Sequence, residues 1–162
     1  MDDFGSPVLR RLLDLQRDAV VDTHARLGDD TASVDADRVL EVLRSLRDDP
    51  ELDFDMLMDL TVVDYLGDES RFEIVYHLYS LGKNWRLRIK TRVTEAAPEV
   101  ASAVSLWPSA NWMEREAWDL YGIRFRDHPD LRRLLLYEEF EGHPLRKDYP
   151  KERRQPLVGP RN

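Results

Sequence analysis

The sequence predicts an α+β fold: two layers, with helices packed on one face of a mixed or antiparallel sheet of about four to five strands, followed by an irregular C-terminal arm. Two observations predict it. The middle of the chain alternates apolar and polar residues with period two, the signature of strands with one buried face. The flanking regions carry apolar residues at helical spacing, and helices do not alternate with strands as a parallel α/β sheet would require. A third observation sets the scale: 162 residues are one domain's worth of chain, enough to bury roughly 70% of the unfolded surface.

From the N-terminus, Ser6-Pro7 reads as a helix start, with serine as cap and proline where its missing N–H costs nothing. Leu9, Leu12, Leu13, Val20 and Leu27 form a broken apolar stripe, and Gly28 is the expected stop. Residues 1–30 are therefore expected to be a helical segment. Ala32–Val34 is a short strand candidate. Asp35 caps a second helix with Val39, Leu40, Leu43 and Leu46 on one face, closed by Asp48-Asp49-Pro50.

Met56–Leu66 reads as a strand ending in the turn Gly67-Asp68. Arg71–Leu81 alternates Phe72, Ile74, Tyr76 and Leu78 against Glu73, Val75, His77 and Tyr79. In Asn84–Thr94, Trp85, Leu87, Ile89, Thr91 and Val93 face one way and Arg86, Arg88, Lys90 and Arg92 the other. These two runs, joined at Gly82-Lys83, predict a hairpin whose cationic row is a solvated sheet face. After Pro98 the pattern turns helical: Pro108 at the first position, then Trp112, Met113, Glu116 and Leu120, with Gly122 as terminator. A short helical turn is expected at Leu131–Leu136.

Composition removes several functions. The 42% apolar content is globular, whereas 35% charged residues exceed the usual ~25%. A net charge of −8 argues against nucleic acid as a partner. Cysteine is absent, which excludes disulfides, thiol catalysis and cysteine-ligated zinc or iron–sulfur clusters. No run approaches the ~18 apolar residues of a membrane span. The acidic start has no signal-like core, so a cytoplasmic location is expected. Residues 1–60 carry 16 acids and 7 bases, whereas residues 110–162 carry 10 and 11. Acidity is thus concentrated in the first third.

The densest charged cluster is Glu114-Arg115-Glu116 with Asp119. Glu114 and Glu116 project about 200° apart on a helix and cannot act as one acid–base pair. Arg115 and Asp119, four residues apart, are expected to pair along the helix for about 0.3 kcal/mol. His128 and His143 each precede proline, near Asp127 and Asp148, without metal-ligand spacing. Backbone hydrogen bonding is the expected role for both. There is no nucleophile elbow, P-loop or dinucleotide fingerprint. The unusual stretch is Arg124–Tyr149, irregular and rich in arginine and aromatics. It either packs back on its own domain or lies along another protein.

Read continuously, Glu114-Arg115-Glu116-x-x-Asp119-Leu120-Tyr121-Gly122-Ile123, then His128-Pro129-Asp130-Leu131-Arg132-Arg133, then Gly142-His143-Pro144-Leu145-Arg146-Lys147-Asp148-Tyr149-Pro150, resemble the 30 kDa subunit family of respiratory complex I, the NADH–quinone oxidoreductase. Asp59–Tyr65 and Tyr76–Ser80 are similar to the family's strands. The resemblance spans roughly 32–150 and implies a domain over 31–150 with a tail at 151–162. It implies a non-catalytic structural subunit of the peripheral arm, on the cytoplasmic side of the cell membrane and held there only through the complex. That complex passes electrons from NADH through FMN and iron–sulfur clusters to quinone, while this chain binds no cofactor itself. The implied partners are the large quinone-site subunit and the small terminal-cluster subunit. The implied contact residues are Glu114, Arg115, Glu116, Asp119, Tyr121, His128, Arg132, Arg133, His143, Arg146, Lys147, Asp148 and Tyr149. The two prolines of Gly142–Pro150 predict an extended arm reaching that partner. The equivalent subunit of a membrane-bound hydrogenase or ferredoxin-dependent quinone reductase, or an unrelated adaptor domain, stand as alternatives.

Overall fold

A computed structural model of the chain describes residues 6–155. Ser6 accepts a hydrogen bond from the Leu9 N–H and starts helix α1 (Pro7–Gln16), as expected. The helix then ends eleven residues earlier than the leucine stripe suggests. A 3-10 turn at Arg17–Ala19 leads into strand β1 (Val20–His24). Val20-Val21-Asp22-Thr23 is a β-branched run, and pairing with a neighbour overrides the helical spacing. Leu27, counted in the stripe, is fully exposed.

Strand β2 (Thr31–Val34) pairs antiparallel with β1 and is followed by a 3-10 turn capped by Asp35, then helix α2 (Val39–Asp48). The middle strands are β3 (Met56–Asp64), β4 (Phe72–Ser80) and β5 (Trp85–Val93). All five form one mixed sheet in the order β1-β2-β5-β4-β3, in which only β2 and β5 are parallel. The β4–β5 pairing runs unbroken from Phe72 opposite Val93 to Ser80 opposite Trp85. Asn84, not glycine, takes the left-handed conformation at its turn, a conformation asparagine tolerates better than most residues.

The core lies on one face of the sheet. Ile74, Tyr76 and Ile89 meet Leu12 of α1 and Val42, Leu43 and Leu46 of α2, all of them 0% exposed. Helix α3 (Ala110–Tyr121) packs chiefly along β3. It begins two residues after Pro108 and ends at Gly122 in the left-handed conformation. Besides β1, two further strands lie outside the sequence expectation: β6 (Glu99–Ala101) and β7 (Arg124–Arg126), which pair in parallel around α3. Three-residue strands carry too little periodicity to be read from sequence. Leu131–Leu136 is not helical.

Candidate functional site: an arm gripped by two buried charge centres

After β7 the chain runs without regular structure from Asp127 to Gln155, and its backbone must find hydrogen-bond partners elsewhere. Helix α3 supplies many of them. Asp119, in the last turn and 0% exposed, accepts the backbone N–H groups of Leu134, Leu135 and Leu136 at 3.1, 2.8 and 2.9 Å on one oxygen. Its other oxygen takes Arg133 Nη1 at 2.6 Å. Successive amides converging on one carboxylate form an anion nest. Burial alone would raise this carboxyl, but these four hydrogen bonds outweigh it and hold Asp119 below the ordinary carboxylate range.

Arg115, one turn earlier, donates to the carbonyls of Arg132 and Arg133 at 3.2 and 3.0 Å. The expected Arg115–Asp119 pair therefore does not form. The two side chains grip the same loop instead, arginine taking carbonyls and aspartate taking amides. This also explains why 131–136 is not a helix: its amides point at Asp119 rather than four residues back. Arg133 extends the grip by donating to the Phe140 carbonyl at 2.6 Å, with its guanidinium between the Trp118 and Phe140 rings.

The second centre is Arg71, just before β4 and 2% exposed. It binds Asp64 bidentately at 2.8 and 2.9 Å, Asp148 bidentately at 3.0 and 2.6 Å, and Glu95 at 2.8 Å. The Lys147 N–H donates to Asp64 at 2.8 Å, so the arm meets both members of the buried pair. Arg71 holds Asp64 and Asp148 below the ordinary carboxylate range and is itself raised by them. The Phe72 ring lies 4.9 Å from the guanidinium carbons of both Arg71 and Arg146.

Between the centres the arm crosses the end of α3. His143 Nδ1 lies 3.0 Å from the Asp119 carbonyl, which can only accept, so that nitrogen carries the proton. Burial lowers the His143 pKa. The Leu145 N–H reaches the Leu120 carbonyl at 3.1 Å, and Arg146 Nε the Tyr121 carbonyl at 2.6 Å. Gly122 makes this crossing possible. A Cβ there would lie 2.6 Å from the His143 ring and 2.7 Å from Arg146 Nη2, and its φ of 77° is left-handed.

The arm is therefore neither extended nor free, contrary to expectation. It folds through turns closed by Arg146 N–H to His143 and Tyr149 N–H to Arg146, and it lies on its own domain. The prolines restrict single residues, but the two charge centres set the path. Of the thirteen expected contact residues, Arg115, Asp119, Arg133, His143, Arg146 and Asp148 bind within the chain. Tyr121 contributes its carbonyl, and Tyr149 stacks on Phe140 at 6.1 Å. Arg132 is exposed beside Asp130, and Glu116 and Lys147 are exposed.

Glu114 and His128 form a separate buried cluster. Glu114, 0% exposed, accepts from Ser102 Oγ at 2.7 Å and from the Ala103 N–H at 2.6 Å. Burial pushes its carboxyl up to about 7. His128 Nδ1 accepts the Asp130 N–H at 3.0 Å, so Nε2 carries the proton and donates to the Asn111 carbonyl at 3.1 Å. The expectation of backbone-bonded imidazoles thus holds for both histidines. Sequence reading missed Arg71 and Asp64. Neither stands out by spacing, since Asp148 is 77 positions from Arg71.

The class of protein this describes is an α+β domain carrying a strap of its own chain ion-paired across it. A solved structure titled Nqo5 of the trypsin-resistant fragment (1-134) shares the fold at a TM-score of 0.67 and 32% identity, over 76% of this chain and 99% of that one. The membrane-bound sulfane sulfur reductase, an archaeal respiratory membrane complex, contains a chain of the same fold at a TM-score of 0.76 and 22% identity, covering 90% of this chain and 85% of that one. The chain belongs to the family described as respiratory-chain NADH dehydrogenase, 30 Kd subunit, which matches residues 32–155. Its relatives include an NADH-quinone oxidoreductase subunit of Rhizobium etli, 47% identical over 89% of this chain and 78% of the relative. The equivalent NADH-quinone oxidoreductase subunit of Roseiflexus sp. is 49% identical over 90% and 84%. Among the described residues, no helix is long and apolar enough to cross a membrane.

Proposed function

We propose that this chain is a structural subunit of the peripheral arm of an NADH:quinone oxidoreductase, holding no cofactor and performing no chemistry of its own. Electron transfer from NADH through FMN and iron–sulfur clusters to quinone is then an activity of the assembly. This chain packs against the quinone-site subunit, beside the small terminal-cluster subunit, on the cytoplasmic side of the membrane. The observation that carries the reading is the strap itself. Its inner side chains are fixed to the domain, while Leu135 and Leu145 stand 61% and 50% exposed on it. Apolar side chains held out on a stiffened segment lose little freedom on docking, which favours a protein partner.

The relatives named as NADH-quinone oxidoreductase subunits support the parent complex. The test is purification of the native complex through a tag on this chain, followed by mass spectrometry and optical spectra. The expected result is flavin- and cluster-bearing subunits with NADH-driven quinone reduction, and no flavin or cluster absorbance in the isolated chain. Recovery of hydrogenase-type subunits without an NADH-oxidising module would place the chain in the related complexes. Recovery of the chain alone would leave the adaptor reading.

A further inference from the structure

The Glu114–His128 cluster lies apart from both charge centres, and its hydrogen bonds admit two arrangements. Each Glu114 oxygen has one fixed donor, Ser102 Oγ on Oε2 and the Ala103 N–H on Oε1. Ser102 also accepts the Val104 N–H at 3.2 Å. The His128 side chain, like that of Glu114, is 0% exposed, and its Nε2 stands 4.0 Å from Oε2. That is too long for a hydrogen bond. The same Nε2–H instead lies 3.1 Å from the Asn111 carbonyl. This carbonyl does not depend on it, because within α3 it also takes the N–H four residues on. One imidazole proton therefore has two acceptors within reach. The ring cannot answer by exchanging tautomers, since Nδ1 is held as an acceptor by the Asp130 N–H. A further donor stands on β4, where the Tyr76 hydroxyl is 0% exposed, has no hydrogen-bond partner among the described residues and feels the Glu114 charge.

No cation competes for Glu114 among the described residues. Arg115 grips the Arg132 and Arg133 carbonyls, Arg126 pairs with Glu99 at 3.3 Å, and Arg47 of α2 reaches the Leu106 carbonyl at 3.1 Å. Asp130 pairs with Arg132 at 2.8 Å, and Asp64 of β3 is held by Arg71. Glu116, Arg124 and Asp127 are exposed. On β4, Glu73 and His77 alternate with Tyr76 and lie on the other face of the sheet.

We propose that Glu114 and His128 form a two-position hydrogen-bond switch at the root of the strap. With Glu114 neutral, the His128 Nε2–H rests on the Asn111 carbonyl; with Glu114 ionised, it turns to the carboxylate. The carboxyl proton goes to solvent and the imidazole stays neutral, so Glu114 is the one group that changes charge. Closing from 4.0 Å to the ~2.8 Å of a charge-assisted bond moves the ring by about 1 Å. The ring carries the Asp130 N–H with it, and the Asp130 carbonyl accepts the Arg132 N–H at 3.1 Å, in the residue whose own carbonyl Arg115 holds. The charge of one enclosed carboxylate is thereby passed to the segment that crosses the domain. Burial sets the change near neutrality, with the carboxyl pushed up to about 7.

The switch is independent of which complex the chain joins, and its test is a titration of the full chain by NMR. The Glu114 carboxyl is followed by its carbon resonance and the His128 ring by its nitrogen and proton resonances. Between about pH 5.5 and 8.5, on either side of the change at about 7, the proton on Nε2 is expected to move downfield with the midpoint of the Glu114 carboxyl. The Nδ1 signal is expected to keep the position of a neutral, hydrogen-bonded nitrogen. In Glu114→Gln, neutral at every pH, the Nε2 proton is expected to stay at its low-pH position. A Glu114 carboxyl that titrates while the His128 signals stand still overturns the switch. So does a His128 ring that takes up a proton itself, or a carboxyl that shows no titration in this range. These three readings use the wild-type chain and do not depend on the folding of the variant.

Discussion

The β4–β5 hairpin and the strap from 127 to 149 solve the same problem in opposite ways. Both must satisfy every buried backbone N–H and C=O. The hairpin does so with its own ladder and buries Phe72, Ile74, Tyr76, Leu87 and Ile89 beneath it. Its surface charges pair on top of a structure that is already complete. The strap has no ladder and little buried apolar mass, so Asp119, Arg115, Arg133 and Arg71 act as its hydrogen-bonding partners. Charge is optional on the hairpin and structural on the strap.

That contrast is broken most directly at Arg71. Arg71→Ala leaves Asp64, 2% exposed, with a buried charge and no cation, and releases Asp148. Removing one member of such a pair costs about 3–5 kcal/mol. Urea denaturation of the isolated chain is expected to show that loss, together with new tryptic cleavage in the strap. A variant within about 1 kcal/mol of wild type would mean the strap is held by packing instead.

Acid and base should act with opposite sign on the carboxylates of the two charge centres and on Glu114. Asp64, Asp119 and Asp148 have folded-state pKa values below their unfolded ones. Their stabilisation is present above the ordinary carboxylate range and is lost as pH falls through the depressed values. Glu114 is raised from 4.5 to about 7. It binds a proton more tightly when folded, so its contribution is fully present below about 4.5 and is lost as pH rises through 7, on the order of 3 kcal/mol. Glu114→Gln keeps a hydrogen-bonding neutral group and is expected to flatten the fall in stability between about pH 5 and 8. An unchanged pH profile for that variant would show that Glu114 does not titrate in this window.

Gly122 should show a smaller effect confined to the crossing point. Gly122→Ala forces a Cβ into the left-handed conformation and against the His143 ring, an expected cost of about 1–2 kcal/mol. Amide exchange should speed up at 143–149 while the hairpin amides keep their protection. Equal acceleration in both regions would mean that strap and sheet unfold as one unit.

The same division decides what could be read from sequence. Hairpin periodicity is local, so Trp85–Val93 declares both its strand and its buried face. The stop at Gly122 and the caps at Ser6 and Asp35 are equally local. Strand β1 is obscured because the apolar stripe at helical spacing runs on through Val20, which pairs with Val34 of β2. The charged motif in α3 was visible, but its targets were not. Asp119 reads as a surface partner of Arg115 until the loop 15–17 residues downstream is in place. The Arg71 centre joins residues 77 apart with no spacing rule to connect them. Irregular chain gripped by isolated charges leaves motifs in a sequence but no geometry.

The smallest expected effect tests the hairpin side of the contrast. Lys90 and Glu73 form a 3.0 Å pair on the open face, with the lysine side chain 26% exposed and the glutamate 11%. If ion pairs were structural here as they are on the strap, Lys90→Ala would leave a nearly buried carboxylate unpaired and cost several kcal/mol. Glu73 also lies within 3.6 Å of Arg92, however, and water reaches the face from above. Val75, opposite Lys90 in the sheet, is only 5% exposed, so the ladder beneath does not depend on this charge. Lys90→Ala is therefore expected to lower stability by only about 0–1 kcal/mol, with no change in hairpin amide exchange. A loss above about 2 kcal/mol would place the hairpin and the strap under the same electrostatic control and remove the distinction between them.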